Sequence, residues 1–185
     1  MKKLGVVLAI VFFLGATLAM GQPVPGKKFE LGTSISFSSI KVSGFSGSET
    51  YLVLPVRVGY SIWKGLELEP ELLVTSIHYT DGGHTGFNLS ANVAYNFKVP
   101  GRLVPFVLGG VGAGNGYAMG PIVSSSTGTN ALLINGGAGA KYLFGQIAAI
   151  RMEYRYTHNR LSKSGGALIQ NASFHQIFIG FSLFF

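Results

Sequence analysis

Cysteine is absent from all 185 residues, which excludes a disulfide framework, a thiolate zinc site and a cysteine nucleophile. Charge is scarce. Asp, Glu, Lys and Arg make up 11% of the chain, where a soluble domain carries about 25%. Scarce charge with a 48% hydrophobic content also excludes a disordered segment, which needs the opposite balance. Long apolar runs are missing too. Beyond the extreme N-terminus nothing approaches the ~18 uninterrupted apolar residues of a membrane-spanning helix. No window of useful length carries the helical spacing of apolar residues. What the chain has in quantity is glycine, at 27 residues, and aromatics, at 12%. Its length suits one or at most two domains with a sizeable core.

The N-terminus reads as an export signal. Met1, Lys2 and Lys3 form a short basic start, and Leu4 to Ala19 is an apolar run. Small residues at Ala19 and Gly21 supply a signal-peptidase pattern, so cleavage is expected after Gly21. Pro23, Pro25 and Gly26 follow without a stop-transfer cluster, and no cysteine stands after the cleavage site to carry a lipid. The expected organisation is a signal peptide over 1–21 and a single barrel domain over 22–185.

The rest of the chain alternates with period two. Strands are expected at about 28–38, 51–62, 66–79, 86–98, 103–114, 130–144, 147–157 and 174–185. In 86–98, Phe87, Leu89, Ala91, Val93, Tyr95 and Phe97 share one face, opposite Asn88, Ser90, Asn92, Ala94 and Asn96. The last segment sets Ile177, Ile179, Phe181, Leu183 and Phe185 against Gln176, Phe178, Gly180, Ser182 and Phe184. Segment 103–114 is too glycine-rich for its faces to be assigned. Trp63-Lys64-Gly65, Val99-Pro100-Gly101 and Phe144-Gly145-Gln146 read as tight turns. Longer links, rich in Gly, Ser, Thr and Asn, are expected at 39–50, 80–85, 115–129 and 158–173, alternating strictly with the turns. That is the layout of an outer-membrane barrel with both chain ends on the short-turn side. The predicted fold is all-β: an eight-stranded antiparallel up-and-down transmembrane β-barrel.

The polar face separates a lipid-coated barrel from a water-soluble one. A sheet surface in water would be filled with Lys and Glu, whereas this face is mostly Gly, Ser, Asn and Ala. Small residues suit the narrow inside of an eight-stranded barrel. The apolar face must then meet hydrocarbon, since in water a band of that size would aggregate. Closure follows, because an open edge in lipid leaves backbone groups unpaired at several kcal/mol each. Aromatics gather at the strand ends as interfacial belts. Phe29, Tyr60, Trp63, Phe97, Tyr142, Phe144 and Phe185 are expected on the short-turn side, and Phe37, Phe87, Tyr156 and Phe174 on the loop side.

Parity places Arg57, Glu67, Glu69, Glu71, Lys141, Arg151, Glu153 and Arg155 inside, with Glu30 near the turn end. Folding about Lys64 sets Arg57 opposite Glu71. Folding about Gln146 sets Lys141 opposite Arg151, a like-charge pair that Glu153 or a carboxylate from across the barrel must neutralise. Buried charges persist only when paired, so the expectation is a salt-bridged plug in a cramped, hydrophilic lumen. A catalytic carboxylate pair needs an accessible sugar, which a filled lumen denies.

Other chemistry has little support. The runs Gly109–Gly114 and Gly136–Lys141 contain neither G-x-G-x-x-G nor a Gly-Lys-Ser/Thr ending, and no helix follows to receive a phosphate. Glycine there fits strand curvature and a thin lumen. The basic turn residues Lys27, Lys28, Lys64, Lys98 and Arg102 lack an aromatic stacking platform, so nucleic acid is not an expected partner. His78, His84, His158 and His175 fall toward the loop end without a His-x-His pair or clustered carboxylates. No metal or cofactor is expected.

The chain from about residue 28 resembles the outer membrane protein beta-barrel domain family, relatives of the OmpA transmembrane domain and of OmpX. The residues that carry the likeness are Tyr51-Leu-Val-Leu-Pro-Val-Arg-Val-Gly-Tyr60, Leu66-Glu-Leu-Glu-Pro-Glu-Leu72, Val104-Pro-Phe-Val-Leu-Gly-Gly110, Asn135-Gly-Gly-Ala-Gly-Ala-Lys-Tyr142 and Met152-Glu-Tyr-Arg-Tyr156. Gly180-Phe-Ser-Leu-Phe-Phe185 is similar to the terminal signal that such barrels present to the barrel-assembly machinery, with Gly180, Leu183 and Phe185 as its marks. Phe178 departs from it, since that position is usually polar. A second resemblance is to PagL-type lipid A deacylases. Glu153-Tyr-Arg-Tyr-Thr-His158 is similar to the strand leading into their catalytic His-x-Ser, which implies His158 as the base. Arg160 stands where the serine should be, and Ser162 is the next hydroxyl. No carboxylate follows His158 in the chain to orient its ring.

The expected role is that of a monomeric, non-enzymatic integral barrel of the outer membrane, with periplasmic termini. Its external loops would serve structure, envelope interaction or adhesion, and lipids and lipopolysaccharide would be its surroundings. A lipid A deacylase using His158 and Ser162, and a narrow passive pore, are the alternatives.

Overall fold

A computed structural model describes residues 26–41, 48–79, 82–115, 129–163 and 168–185. The expected signal peptide and the tips of the four loop-side links lie outside the described residues. Eight antiparallel strands close into a barrel in sequence order. They are β1 (Phe29–Lys41), β2 (Ser48–Trp63), β3 (Leu66–Tyr79), β4 (Gly82–Asn96), β5 (Leu103–Gly114), β6 (Thr129–Phe144), β7 (Ala148–Lys163) and β8 (Leu168–Phe184).

The turns at one end are built by local chemistry. Lys64 and Gly65 both take positive φ, 27° and 94°. That is the two-residue hairpin geometry whose twist matches the flanking strands, and Gly65 bears the left-handed position without a Cβ clash. The loop-side links are shorter than expected. β3 and β4 stay paired to Tyr79↔Gly82, so a link of 80–85 is corrected to two residues, and the strict alternation of short and long links fails there. β7 and β8 likewise pair through most of 158–173, as far as Ser162↔Leu168. Small polar residues there read as loop because they prefer water. Their backbones still complete a ladder wherever a neighbouring strand is in register.

The faces divide as parity requires. Leu31, Val56, Leu72, Leu89, Val93, Ile134, Ile150, Met152 and Ile179 all point outward and are exposed. On β5 the unassigned faces resolve, with Val104, Phe106 and Leu108 buried inside and Leu103 and Val111 exposed. Phe29, Tyr60, Trp63, Tyr142, Phe144 and Phe185 ring the turn end outside, and Phe37, Phe87 and Tyr156 the loop end. Two belt expectations are corrected. Phe174 points inward, its ring centroid 6.0 Å from that of Tyr51, because its β8 position shares parity with Gln176 and Phe178. Phe97, just past the end of β4, is covered and packs edge-on against Tyr95 at 5.0 Å.

The hydrophilic lumen is also corrected, in half. Tyr51, Val53, Leu73, Ile77, Ala131, Leu133, Phe174 and Phe178 form one buried apolar cluster on the loop side of the charged residues. In so narrow a lumen side chains fill the volume, and the apolar groups share it there with buried Thr75, Thr157 and Asn159.

Candidate functional site

The turn-side half of the lumen holds all nine charged residues assigned to it by parity. Glu30, Arg57, Glu67, Glu69, Glu71, Lys141, Arg151, Glu153 and Arg155 are each at most 2% exposed. Arg57 stands across the ladder from Glu71, with Nη1 3.6 Å from Glu71 Oε2 and Nη2 donating to Ser34 Oγ at 2.7 Å. The like-charge pair Lys141↔Arg151 is real, and four carboxylates, Glu30, Glu67, Glu69 and Glu153, answer it. Arg151 meets Glu69 in a two-pronged contact at 2.7 and 3.0 Å, and its Nη2 lies 2.8 Å from Glu153. Lys141 Nζ lies 2.5 Å from Glu30, 3.0 Å from Glu67 and 3.8 Å from Glu69. Arg155 bridges Glu71 and Glu153 at 2.5 and 2.6 Å. Carboxylates outnumber cations by one, and neutral donors temper the excess. Asn96 Nδ2 donates to Glu67 at 2.8 Å, and Ser182 Oγ donates to Glu30 at 2.5 Å.

Aromatic rings cover this network; parity put Phe178 on the polar-side face, but nothing in the sequence set it or Phe106 over these cations. Arg151 lies 4.1 Å and Lys141 5.6 Å from the Phe106 centroid, and Arg155 lies 5.0 Å from that of Phe178. Such contacts favour a cation over a ring face. Phe178, the anomaly in the terminal signal, thus has a packing role. Of that signal's marks, Leu183 and Phe185 point outward and are exposed, while Gly180 lies against β1. Glu30, Glu67 and Glu69 bring carboxylate oxygens within 4.8 Å of one another. The Lys141 ammonium already stands among them, so the group reads as an ion cluster.

A second group of polar side chains lies outside the barrel, on β7 and β8. His158 faces outward, and its Nδ1 is 3.0 Å from Ser173 Oγ. Tyr156 donates its hydroxyl to the same Ser173 Oγ at 3.0 Å. One rung lower, the Tyr154 hydroxyl and His175 Nδ1 are 2.5 Å apart, and the His175 ring centroid is 5.0 Å from that of Tyr156. Ser162, the hydroxyl expected beside His158, stands about 13 Å further along the strand at ~3.3 Å per residue, and its side chain lies outside the described residues. The hydroxyl that meets His158 belongs to Ser173, across the ladder at His158↔Ser173. Sequence spacing along one strand could not find it, since the partner is set by the β7–β8 register.

The height of this group follows from the ladder. Outward residues on β8 are apolar from Leu183 through Ile177 and polar at His175, Ser173 and Asn171. Phe185 to His175 is roughly 33 Å of strand, or about 25 Å of height at barrel tilt, the usual depth of the apolar band. The group therefore sits at the hydrocarbon boundary on the loop side. Among the described residues no carboxylate faces outward.

The outer membrane protein beta-barrel domain family matches residues 6–185 of the chain. Among solved structures, Neisserial surface protein A (NspA) is similar at a TM-score of 0.61 and 13% identity, over 85% of this chain and 97% of that one. The outer membrane enzyme PagL aligns at a TM-score of 0.47 and 15% identity, over 83% of this chain and 97% of that one. At such identity the likeness to NspA speaks to the fold alone. No curated protein matches the chain.

Proposed function

The chain belongs to the outer membrane protein beta-barrel domain family, and from that premise we propose that it is a sealed, non-enzymatic barrel. Its loop-side rim meets partners outside the cell, and both termini lie in the periplasm. Residues 1–21 act as the export signal, and Gly180, Leu183 and Phe185 address the mature chain to the assembly machinery. One observation carries the reading: among the described residues, buried side chains occupy the lumen at both the turn-side and the loop-side level. Nine buried charged residues occupy its turn-side half, and an apolar cluster around Tyr51, Phe174 and Phe178 occupies the other. An ion entering would have to displace groups already paired at 2.5–3.0 Å. Purified protein in planar bilayers is expected to give no stepwise conductance. Regular unitary steps would replace this reading with that of a narrow pore.

A second reading, ester hydrolysis on a lipid of the outer leaflet, is favoured by the contact between His158 Nδ1 and Ser173 Oγ. An imidazole beside a hydroxyl is the core of an activated nucleophile. Against it, no outward carboxylate among the described residues orients the ring. Mass spectrometry of lipid A with and without expression separates the two. Loss of one acyl chain, abolished by His158→Ala and by Ser173→Ala but not by Ser162→Ala, would establish the hydrolase.

A further inference from the structure

The outward group on β7 and β8 adjoins a parted seam. β1 and β8 pair from Glu30↔Phe184 to Ile35↔Ile179. Among the described residues the ladder stops there, although β1 continues to Lys41 and β8 reaches back to Leu168. Phe29 and Phe185 exchange backbone bonds of 3.3 and 2.9 Å, so alternate β8 residues turn their N–H and C=O toward β1. Leu183, Phe181 and Ile179 belong to that set. Ile177, His175 and Ser173 follow by the same parity, and the ladder gives them no partner on the β1 side.

Backbone groups in this position are costly in hydrocarbon and need a polar partner. The same stretch of β8 supplies the His175 and Ser173 side chains, beside Tyr154, Tyr156 and His158. Arg160 lies one rung above, exposed and opposite Asn171. The set is rich in donors, holds a guanidinium and has no carboxylate among the described residues. The geometry points to a seat for the phosphate-bearing headgroup of a membrane lipid. The lipid's chains would run down the apolar wall of Ile177, Ile179 and Met152, and its phosphate would accept from the imidazoles, hydroxyls and the β8 N–H groups beyond the end of the β1–β8 ladder. Hydrogen bonds to a charged acceptor are the stronger kind. This inference rests on the membrane reading above, and it names the ligand of that rim.

Native mass spectrometry of the full chain in detergent tests it, with bis-phosphorylated lipid A, dephosphorylated lipid A and inorganic phosphate as separate probes. The phosphorylated lipid is expected to bind, and His158→Ala combined with His175→Ala to weaken it about tenfold, the effect of losing charge-assisted hydrogen bonds. Leu89→Ala on β4, on the far wall of the barrel, is expected to leave binding unchanged. Equal binding of dephosphorylated lipid, or indifference to the histidine pair, would overturn the phosphate seat. Inorganic phosphate binding as tightly as the lipid would overturn the lipid as occupant. Orientation is read separately: because the chain has no native cysteine, Asn171→Cys on intact cells is labelled by an impermeant maleimide only if the loop side is external. Failure of labelling with lipid binding intact would sink the orientation and spare the site.

Discussion

Arg151 is the residue whose removal should hurt the barrel most. Its guanidinium is fully buried and faces Glu69 at 2.7 Å, Glu153 at 2.8 Å and Glu30 at 3.7 Å. At an effective dielectric near 20, one charge pair at about 4 Å is worth ~4 kcal/mol. Desolvation offsets much of that while the pair is intact. Removing one partner leaves the other buried and uncompensated, which costs ~3–5 kcal/mol. Arg151→Met keeps the volume but leaves five carboxylates against three cations, so its cost is expected near 4 kcal/mol. Glu69→Gln is the contrasting change. It leaves four of each sign, and the amide oxygen still accepts from Arg151, so about 1–2 kcal/mol is expected. The double substitution should be milder than Arg151→Met alone.

Urea unfolding in lipid vesicles reads these differences, through the compact gel band of unboiled samples and the fluorescence of Trp63, the one tryptophan. With a slope of ~2 kcal/mol per molar urea, the midpoint should fall by about 2 M for Arg151→Met and by no more than about 1 M for Glu69→Gln. If Arg151→Met moved it by no more than Glu69→Gln, the interior charges would not be acting as a paired network.

Gly180 tests the seam from its closed half. A Cβ there would lie 2.1 Å from Ser34 Oγ and from the Thr33 carbonyl oxygen, so Gly180→Val should block β1–β8 closure and abolish the heat-modifiable band. An unchanged band would contradict the close approach. Phe178→Ala removes a fully buried ring from the apolar cluster and from over Arg155, with an expected loss of ~3–5 kcal/mol in the same unfolding assay; a loss below ~1 kcal/mol would contradict its packing role. Brominated lipids test the outer wall: Trp63 should be quenched best by bromines near the headgroup, and Met152→Trp in a Trp63→Phe background by bromines deep in the chains. Equal quenching at every depth would count against the membrane band.

Much of this was legible because a strand's period is two. Alternation in 86–98 and 174–185 assigned the faces without any coordinates, and parity put Arg57, Glu69 and Arg151 inside. Charge scarcity then made hydrocarbon the medium outside. Alternation says which side a residue takes, but not what stands opposite it across the lumen or beside it on another strand. Glu69 reaches Arg151 over a separation of 82 residues, a distance at which sequence spacing carries no geometry. Phe106 gave no signal because glycine obscured the pattern of its strand. Ser173 was hidden because the longest ladders continue where composition suggested loops.

The sequence by itself determined the eight strands, the faces of all but the glycine-rich β5, the closure of the sheet and the burial of the ions, since each follows from a local period and the cost of exposing the wrong group to lipid. Tertiary structure alone decided the partners: which carboxylate neutralises Lys141, which ring covers Arg155, which hydroxyl meets His158, and where the β1–β8 seam parts. Those depend on register and barrel curvature, which bring distant residues within 3 Å and which no short stretch of the chain encodes.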